Sequence, residues 1–263
     1  MLPSLFIAHG APSLAIEQHP YTEFLRDLGQ ELPRPKAIVI FSAHWESQVQ
    51  QISSVSRYET IYDFYGFPEE LYQMTYPAKG DITISMEIQR LFSEEGIQCE
   101  LDDHRGLDHG AWAPLSLLYP AADIPVVELS VNPGLIPEEY YRIGKALEPL
   151  RENDILIIGS GGTVHNLLKL DWSNESAQSW AVAFDEWLDE QLETWNTDAL
   201  FEYESRAPHA AEAVPTTEHF VPMILALGSA DESHNARLVH RSYQMGSLSL
   251  SCWEFGAADE INV

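Results

Sequence analysis

Residues 154–165 read DILIIGSGGTVH. From Asp154 to Ser160 the apolar residues follow one another without polar alternation, the pattern of a strand covered on both faces. The Gly161-Gly162-Thr163 turn lets the backbone bend sharply, and His165 follows it. Two other stretches repeat this arrangement. Leu5 to Ala8 leads into His9-Gly10-Ala11-Pro12, and Ala37 to Ala43 (AIVIFSA), preceded by Pro35, leads into His44-Trp45-Glu46. Ile124 to Val131 (IPVVELSV) has the same strand character.

Helical patterns alternate with these runs. Tyr21 to Leu32 places Phe24, Leu25, Leu28 and Leu32 on one stripe. Asp81 to Glu95 opens on an N-cap and stops at Gly96. Pro137 to Arg151 begins Pro-Glu-Glu, a first turn suited to the positive end of a helix dipole. Ser176 to Trp195 carries Trp180, Phe184, Trp187, Leu188 and Trp195 at helical spacing, a continuous stripe that reads as core. Leu238 to Phe255 reads as a strand pair around Met245-Gly246, and Ser47 to Gly80, rich in Tyr and Pro, is the least regular stretch. The order β, α, β, long loop, α, β, β, α, β, α, α, β predicts an α/β fold. We expect a single catalytic domain over residues 1–263, with a central mostly parallel or mixed sheet and helices on both faces.

Composition narrows the partners. The chain has 263 residues, with 14 Lys+Arg against 41 Asp+Glu and a net charge of −27. Such a surface repels nucleic-acid phosphates and anionic lipid heads, and no basic cluster overrides it. A hydrophobic fraction of 45% excludes a disordered chain. Cys99 and Cys252 are the only cysteines and form no CxxC, which predicts a reducing cytoplasm. The N-terminus has no basic segment before Arg26, and no run approaches the length of a membrane span, so a soluble, unprocessed chain is expected.

The histidines carry the chemistry. Of ten, His9, His44 and His165 sit just beyond the carboxyl ends of three predicted strands, the edge where open α/β sheets bind ligands. His219, in PTTEHFVP, precedes an apolar helix (Phe220 to Leu227), and His109, in GLDHGAWAP, lies in a glycine-rich loop. Any one of these is ordinarily a hydrogen-bonded loop residue. Three in equivalent places predict a metal site, since neutral imidazole is a common ligand and clustered imidazoles are costly without an ion. His19, His104, His209, His234 and His240 read as solvated or capping residues. Ser160-Gly-Gly lacks both the GxSxG spacing and a P-loop lysine, and HExxH is absent. Glu218 and His219 are adjacent, and neighbours on a helix point about 100° apart, so only one of them can face a metal.

Five motifs extend the argument: HGAPS at 9–13, SAHWE at 42–46, GLDHGAWAPL at 106–115, GSGGTVHNL at 159–167 and PTTEHFVPMILALG at 215–228. Together they resemble the class III extradiol ring-cleavage dioxygenases, in particular the 4,5-DOPA dioxygenase extradiol-like branch, and GSLSLSCWEF near the end is similar to that branch too. The resemblance implies one α/β domain and a single non-haem Fe(II), with Zn(II) also bound by members. His9 and His44 match the two histidine ligands. The wider class uses a carboxylate as third ligand, whereas the matching position here is His219, with Glu218 beside it. His165 matches an active-site histidine that serves as base and approaches the metal as a fourth ligand. His109 matches a second active-site histidine over the substrate. The implied reaction inserts O2 into a catechol-type, DOPA-like substrate to give a ring-opened muconic semialdehyde.

Two other readings share this site. A three-histidine site with one open position also serves zinc-dependent hydrolysis, and Memo-like relatives keep the fold for binding alone. Trp45 and Trp112 offer an aromatic wall for a substrate ring, Trp112 reading more simply as core. Arg57, Arg105, Arg206 and Arg241 are candidates to meet a substrate carboxylate. The oligomeric state is left open by the sequence.

Overall fold

A computed structural model describes residues 1–173, 176–230 and 234–256. The strands are β1 (Ser4–Ala8), β2 (Ala37–Glu46), β3 (Gln50–Ser53), β4 (Cys99–Asp102), β5 (Val126–Val131), β6 (Ile155–Gly161), β7 (Ala236–His240), β8 (Tyr243–Gln244), β9 (Leu248–Ser249) and β10 (Cys252–Phe255). Eight of them form one sheet in the order β4-β3-β5-β2-β6-β1-β10-β7. The central four, β5-β2-β6-β1, are parallel, and β3 and β10 join them antiparallel, so the sheet is mixed. The register aligns the strand ends. Ala8 lies opposite Gly161, and Ser42 opposite Ser160, so the carboxyl ends of β1, β2 and β6 reach the same edge.

Both faces are covered, as the unbroken apolar runs require. The helices are α1 (Pro20–Glu31), α2 (Ile82–Glu94), α3 (His109–Leu118), α4 (Pro137–Ala146), α5 (Glu148–Arg151) and α6 (Ser179–Glu193), then three short turns α7 (Thr197–Phe201), α8 (Tyr203–Arg206) and α9 (Ala210–Ala213), and α10 (Val221–Gly228). Successive strand residues point to opposite sides. Phe6, Val39, Phe41, Val127, Leu129 and Ile157 pack with buried residues of α2, α4, α6 and α10. Leu5, Ile7, Ile38, Ile40, Leu156 and Ile158 pack with α1 and α3. Asp81 caps α2, accepting from the backbone N–H groups of Thr83 (3.0 Å) and Ile84 (3.1 Å). Phe184 and Leu188 are buried, with Trp180, Trp187 and Trp195 partly buried against them, so the tryptophan stripe is core.

The helix α10 is apolar throughout and lies directly on β6. A Cβ at Gly159 would stand 1.9 Å from the carbonyl oxygen of Pro222, and one at Gly161 would stand 2.0 Å from that of His219. Only glycine permits that approach, and it sets the depth of the segment carrying His219.

Two local expectations need correction and two are refined. The glycine-rich stretch at His109 is not a loop: it opens α3, because Asp108 caps the first turn through the Ala111 N–H at 3.3 Å. Residues 137–151 form two helices, since Pro149 has no N–H to continue the ladder. The closing strand pair around Met245-Gly246 is present and nested: β7 pairs antiparallel with β10, and inside it the small β8–β9 hairpin turns at Met245 (φ 50°) and Gly246 (φ 75°). Residues 47–80 are less irregular than expected. They contain β3, and Thr60 and Gly80 bridge to Leu107 and Val126. The polar sequence of β3 (QQIS) hid it.

Cys99 and Cys252 are free, and no helix among the described residues is long and apolar enough to cross a membrane. Burial pushes the Cys252 thiol up to about 12, whereas Cys99 is only partly covered. A thiol reagent is therefore expected to modify Cys99 in the folded protein and Cys252 only after denaturation. Fast reaction of both thiols in native protein would contradict this packing.

Candidate metal centre

The aligned strand ends bring five histidines together. His9 directly follows β1, and its backbone N–H donates to the Gly161 carbonyl at 3.1 Å. His44 lies within β2 rather than beyond it, because that strand runs on to Glu46 after a register shift. His219 stands two residues before α10, its carbonyl accepting from the Gly162 N–H at 2.8 Å. His165 is tied by its backbone N–H to the Ala213 carbonyl at 3.0 Å, and His109 is the first residue of α3.

Ligand atoms of His9, His44 and His109 fall within 4.8 Å of one another, as do those of His165, Glu218 and His219. The side-chain distances join the two sets. The Nε2 atom of His44 is 3.1 Å from that of His9 and 3.3 Å from that of His219. The ring of His109 lies 3.9 Å from the His44 ring, and the His165 ring stacks on His219 at 3.5 Å with the planes 8° apart. His9 is 1%, His109 4% and His219 6% exposed, so water reaches little of the cluster.

What lies behind each ring decides which nitrogen faces the centre. Ser160 Oγ donates to the Gly110 carbonyl, so its contact with His9 Nδ1 (3.1 Å) is one in which the ring donates. His219 Nδ1 lies 2.9 Å from Glu218 Oε1. Asp63 Oδ2 lies 2.8 Å from His109 Nδ1 and 3.4 Å from His44 Nδ1. A carboxylate can only accept, so the backed rings carry their proton on Nδ1 and leave a lone pair on Nε2. Three such lone pairs, on His9, His44 and His219, point into one small space.

The charge state agrees. Burial, and then the neighbouring histidines, hold His9 well below its ordinary value. Burial, then His109 and His219, hold His44 near about 3, and burial, then His219, hold His165 near about 3. These rings are neutral at pH 7, the state that binds a metal. Burial pushes the Glu218 carboxyl up, but the hydrogen bonds it accepts, first from His219, outweigh this and hold it at about 2. The donor set fits a divalent ion. Two nitrogens each about 2.0–2.1 Å from one ion stand roughly 3 Å apart, close to the separations observed.

Comparison with known proteins decides the family. Residues 3–251 match the model described as the catalytic LigB subunit of aromatic ring-opening dioxygenase. The chain belongs to the LigB family. Like that family, it is an aromatic ring-opening dioxygenase, which implies a metal cofactor, a small aromatic substrate and O2. Among LigB relatives it is 40% identical over 256 residues to a 4,5-DOPA dioxygenase extradiol of Beta vulgaris, covering 96% of each chain. It is 35% identical to a 4,5-DOPA dioxygenase extradiol of Escherichia coli K12, covering 97% of this chain and 95% of that one. The crystal structure of an uncharacterized protein from Escherichia coli K12 superposes with a TM-score of 0.83 at 31% identity, over 97% of this chain and 100% of that one.

Other candidates are placed differently. Trp112 is fully buried and donates its indole N–H to the Ile61 carbonyl at 2.9 Å, so it is core. Trp45 is also covered, with the Arg105 guanidinium 4.6 Å above its ring. A phenyl ring, that of Phe64, meets His109 edge-on at 5.7 Å, in a cluster with Tyr62, Phe67 and Tyr72. Arg105 is committed to Asp108 (2.7 Å) and the His44 carbonyl (3.3 Å), Arg206 to Glu202, and Arg241 to Asp189. Arg57 is exposed. Asp63 and Phe64 escaped sequence reasoning, because they lie in an irregular segment without motif or period.

The glycine contact under His219 gives a test of this geometry. Gly161→Ala must push the His219 carbonyl away from β6, costing about 1–3 kcal/mol of stability and weakening uptake of a divalent ion. A folded Gly161→Ala protein with unchanged urea midpoint and unchanged zinc affinity would show that the close approach does not matter.

Proposed function

We propose that the chain opens a catechol ring by extradiol cleavage at the histidine centre, with Fe(II) as working metal held by His9, His44 and His219. The observation carrying this reading is the convergence of three Nε2 atoms, at 3.1 and 3.3 Å, each ring backed on its Nδ1 side. Membership in a ring-opening dioxygenase family favours it over hydrolysis. When bound, Fe(II) supplies the redox link between substrate and O2 that zinc lacks.

The chain's own groups handle protons and access. His165 is neutral, and among the described residues no hydrogen bond ties up its ring, so a ring nitrogen is available to take a proton from a catechol hydroxyl. His165, once it carries that proton, is the group that returns it, while His109, held through Nδ1 by Asp63, presents Nε2 as an acceptor toward a substrate hydroxyl. The burial of His9, His109 and His219 keeps bulk water from the reacting groups. The substrate class we infer is a DOPA-like catechol, since relatives carry that name. Free thiols and the acidic surface support a cytoplasmic protein without nucleic-acid or membrane partners.

Anaerobically purified, Fe(II)-loaded protein is expected to consume O2 and yield a yellow ring-opened product from a catechol, and the zinc form to do neither. Absence of O2 uptake at full iron occupancy, across neutral, acidic and amino-acid-bearing catechols, would overturn the reading. His9→Ala and His44→Ala should lose the metal. His165→Ala should keep most of it while kcat drops about 100-fold or more. Equal metal loss in all three variants would make His165 an ordinary ligand.

A further inference from the structure

We propose that Asp63 is a positioning residue that orients the rings of His44 and His109 together, one carboxylate setting the direction of a metal-facing lone pair and of an active-site lone pair. The geometry is specific. Oδ2 accepts from His109 Nδ1 at 2.8 Å and stands 3.4 Å from His44 Nδ1, a charge contact longer than a hydrogen bond. Oδ1 accepts from the backbone N–H of His109 at 3.1 Å. The two rings are 3.9 Å apart and tilted by 49°. Ser160 backs His9 and Glu218 backs His219, each serving a single ring, whereas Asp63 serves two.

The acceptor-only character of a carboxylate makes this more than packing. Both imidazoles can face Asp63 favourably only with hydrogen on Nδ1, which leaves both Nε2 atoms bare. Without the carboxylate, the His109 ring can turn over or exchange tautomers, and the nitrogen aimed at the reacting atoms changes. Partners behind metal-bound histidines typically alter affinity or activity about 10–100-fold. Asp63 also reaches the site from the irregular segment after β3, between Tyr62 and Phe64. The same group therefore seats that aromatic segment beside His109. The His44 half of the inference rests on the metal-site reading above; the His109 half stands on its own distances.

Asp63→Asn and Asp63→Ala test the proposal, with zinc chloride as metal probe. Asn keeps an oxygen for the His109 backbone N–H, so the segment stays seated and the thermal midpoint should stay near that of the parent. In zinc-loaded parent protein, long-range 1H–15N spectra should show His109 as the Nδ1–H tautomer. Both variants should shift that signal toward a tautomer mixture and weaken zinc binding about 10–100-fold. In the iron-loaded enzyme kcat should fall by a similar factor, with a smaller change in KM. An unchanged His109 tautomer and unchanged zinc affinity in folded Asp63→Asn would overturn the proposal and leave Asp63 as a loop anchor. Should Asp63→Ala not fold, Asp63→Asn alone decides. If no catechol is cleaved by the iron-loaded parent, the ring-cleavage reading fails, while the tautomer and zinc measurements still judge Asp63.

Discussion

Three imidazole nitrogens facing one another without hydrogen between them is the arrangement on which the rest of this structure depends. Each ring costs free energy to bury and each repels the next, so the cluster holds only if every Nδ1 proton has somewhere to go. Ser160 and Glu218 accept those of His9 and His219, and the Asp63 carboxylate faces that of His44 as a charge contact. The fold is organised to deliver them. Aligned strand ends put His9 and Ser160 side by side, and glycines in β6 let His219 come down onto the same edge.

Charge acts on two scales here. The net charge of −27 attracts divalent cations from a distance and disfavours anionic substrates, both effects weakened by salt. Close in, the charged groups are mostly matched: Arg105 meets Asp108, and the acids near the cluster face imidazole nitrogens. Among the described residues, Glu128 stands apart. It is wholly buried, the Arg105 Nε approaches its Oε1 only to 3.9 Å, and burial, then Asp108, pushes its carboxyl well up.

Much of the sheet was legible because strands buried on both faces advertise themselves as unbroken apolar runs. His9, His44 and His165 were legible because each follows such a run. The acceptors behind the rings were less so. Glu218 announced itself only by adjacency to His219, and Ser160 read as part of a glycine turn. Asp63 carried no signal, since its role comes from a tertiary contact with residues 44 and 109 rather than from local pattern. The start of α3 was hidden by glycine and proline within it, which local propensity counts against a helix but burial on α1 and β2 overrides.

The proposed ligands are spread along the chain, with His9 near one end and His219 roughly two hundred residues later. A chain emerging from the ribosome therefore exposes the first two of these histidines long before the third. The complete ligand set cannot form on a nascent segment, and it closes only once α10 has been made and has docked on β6. On that proposed ligand set, metal loading would be a late event in the protein's life, and a bound ion would fasten the first strand to the helix that arrives last on it.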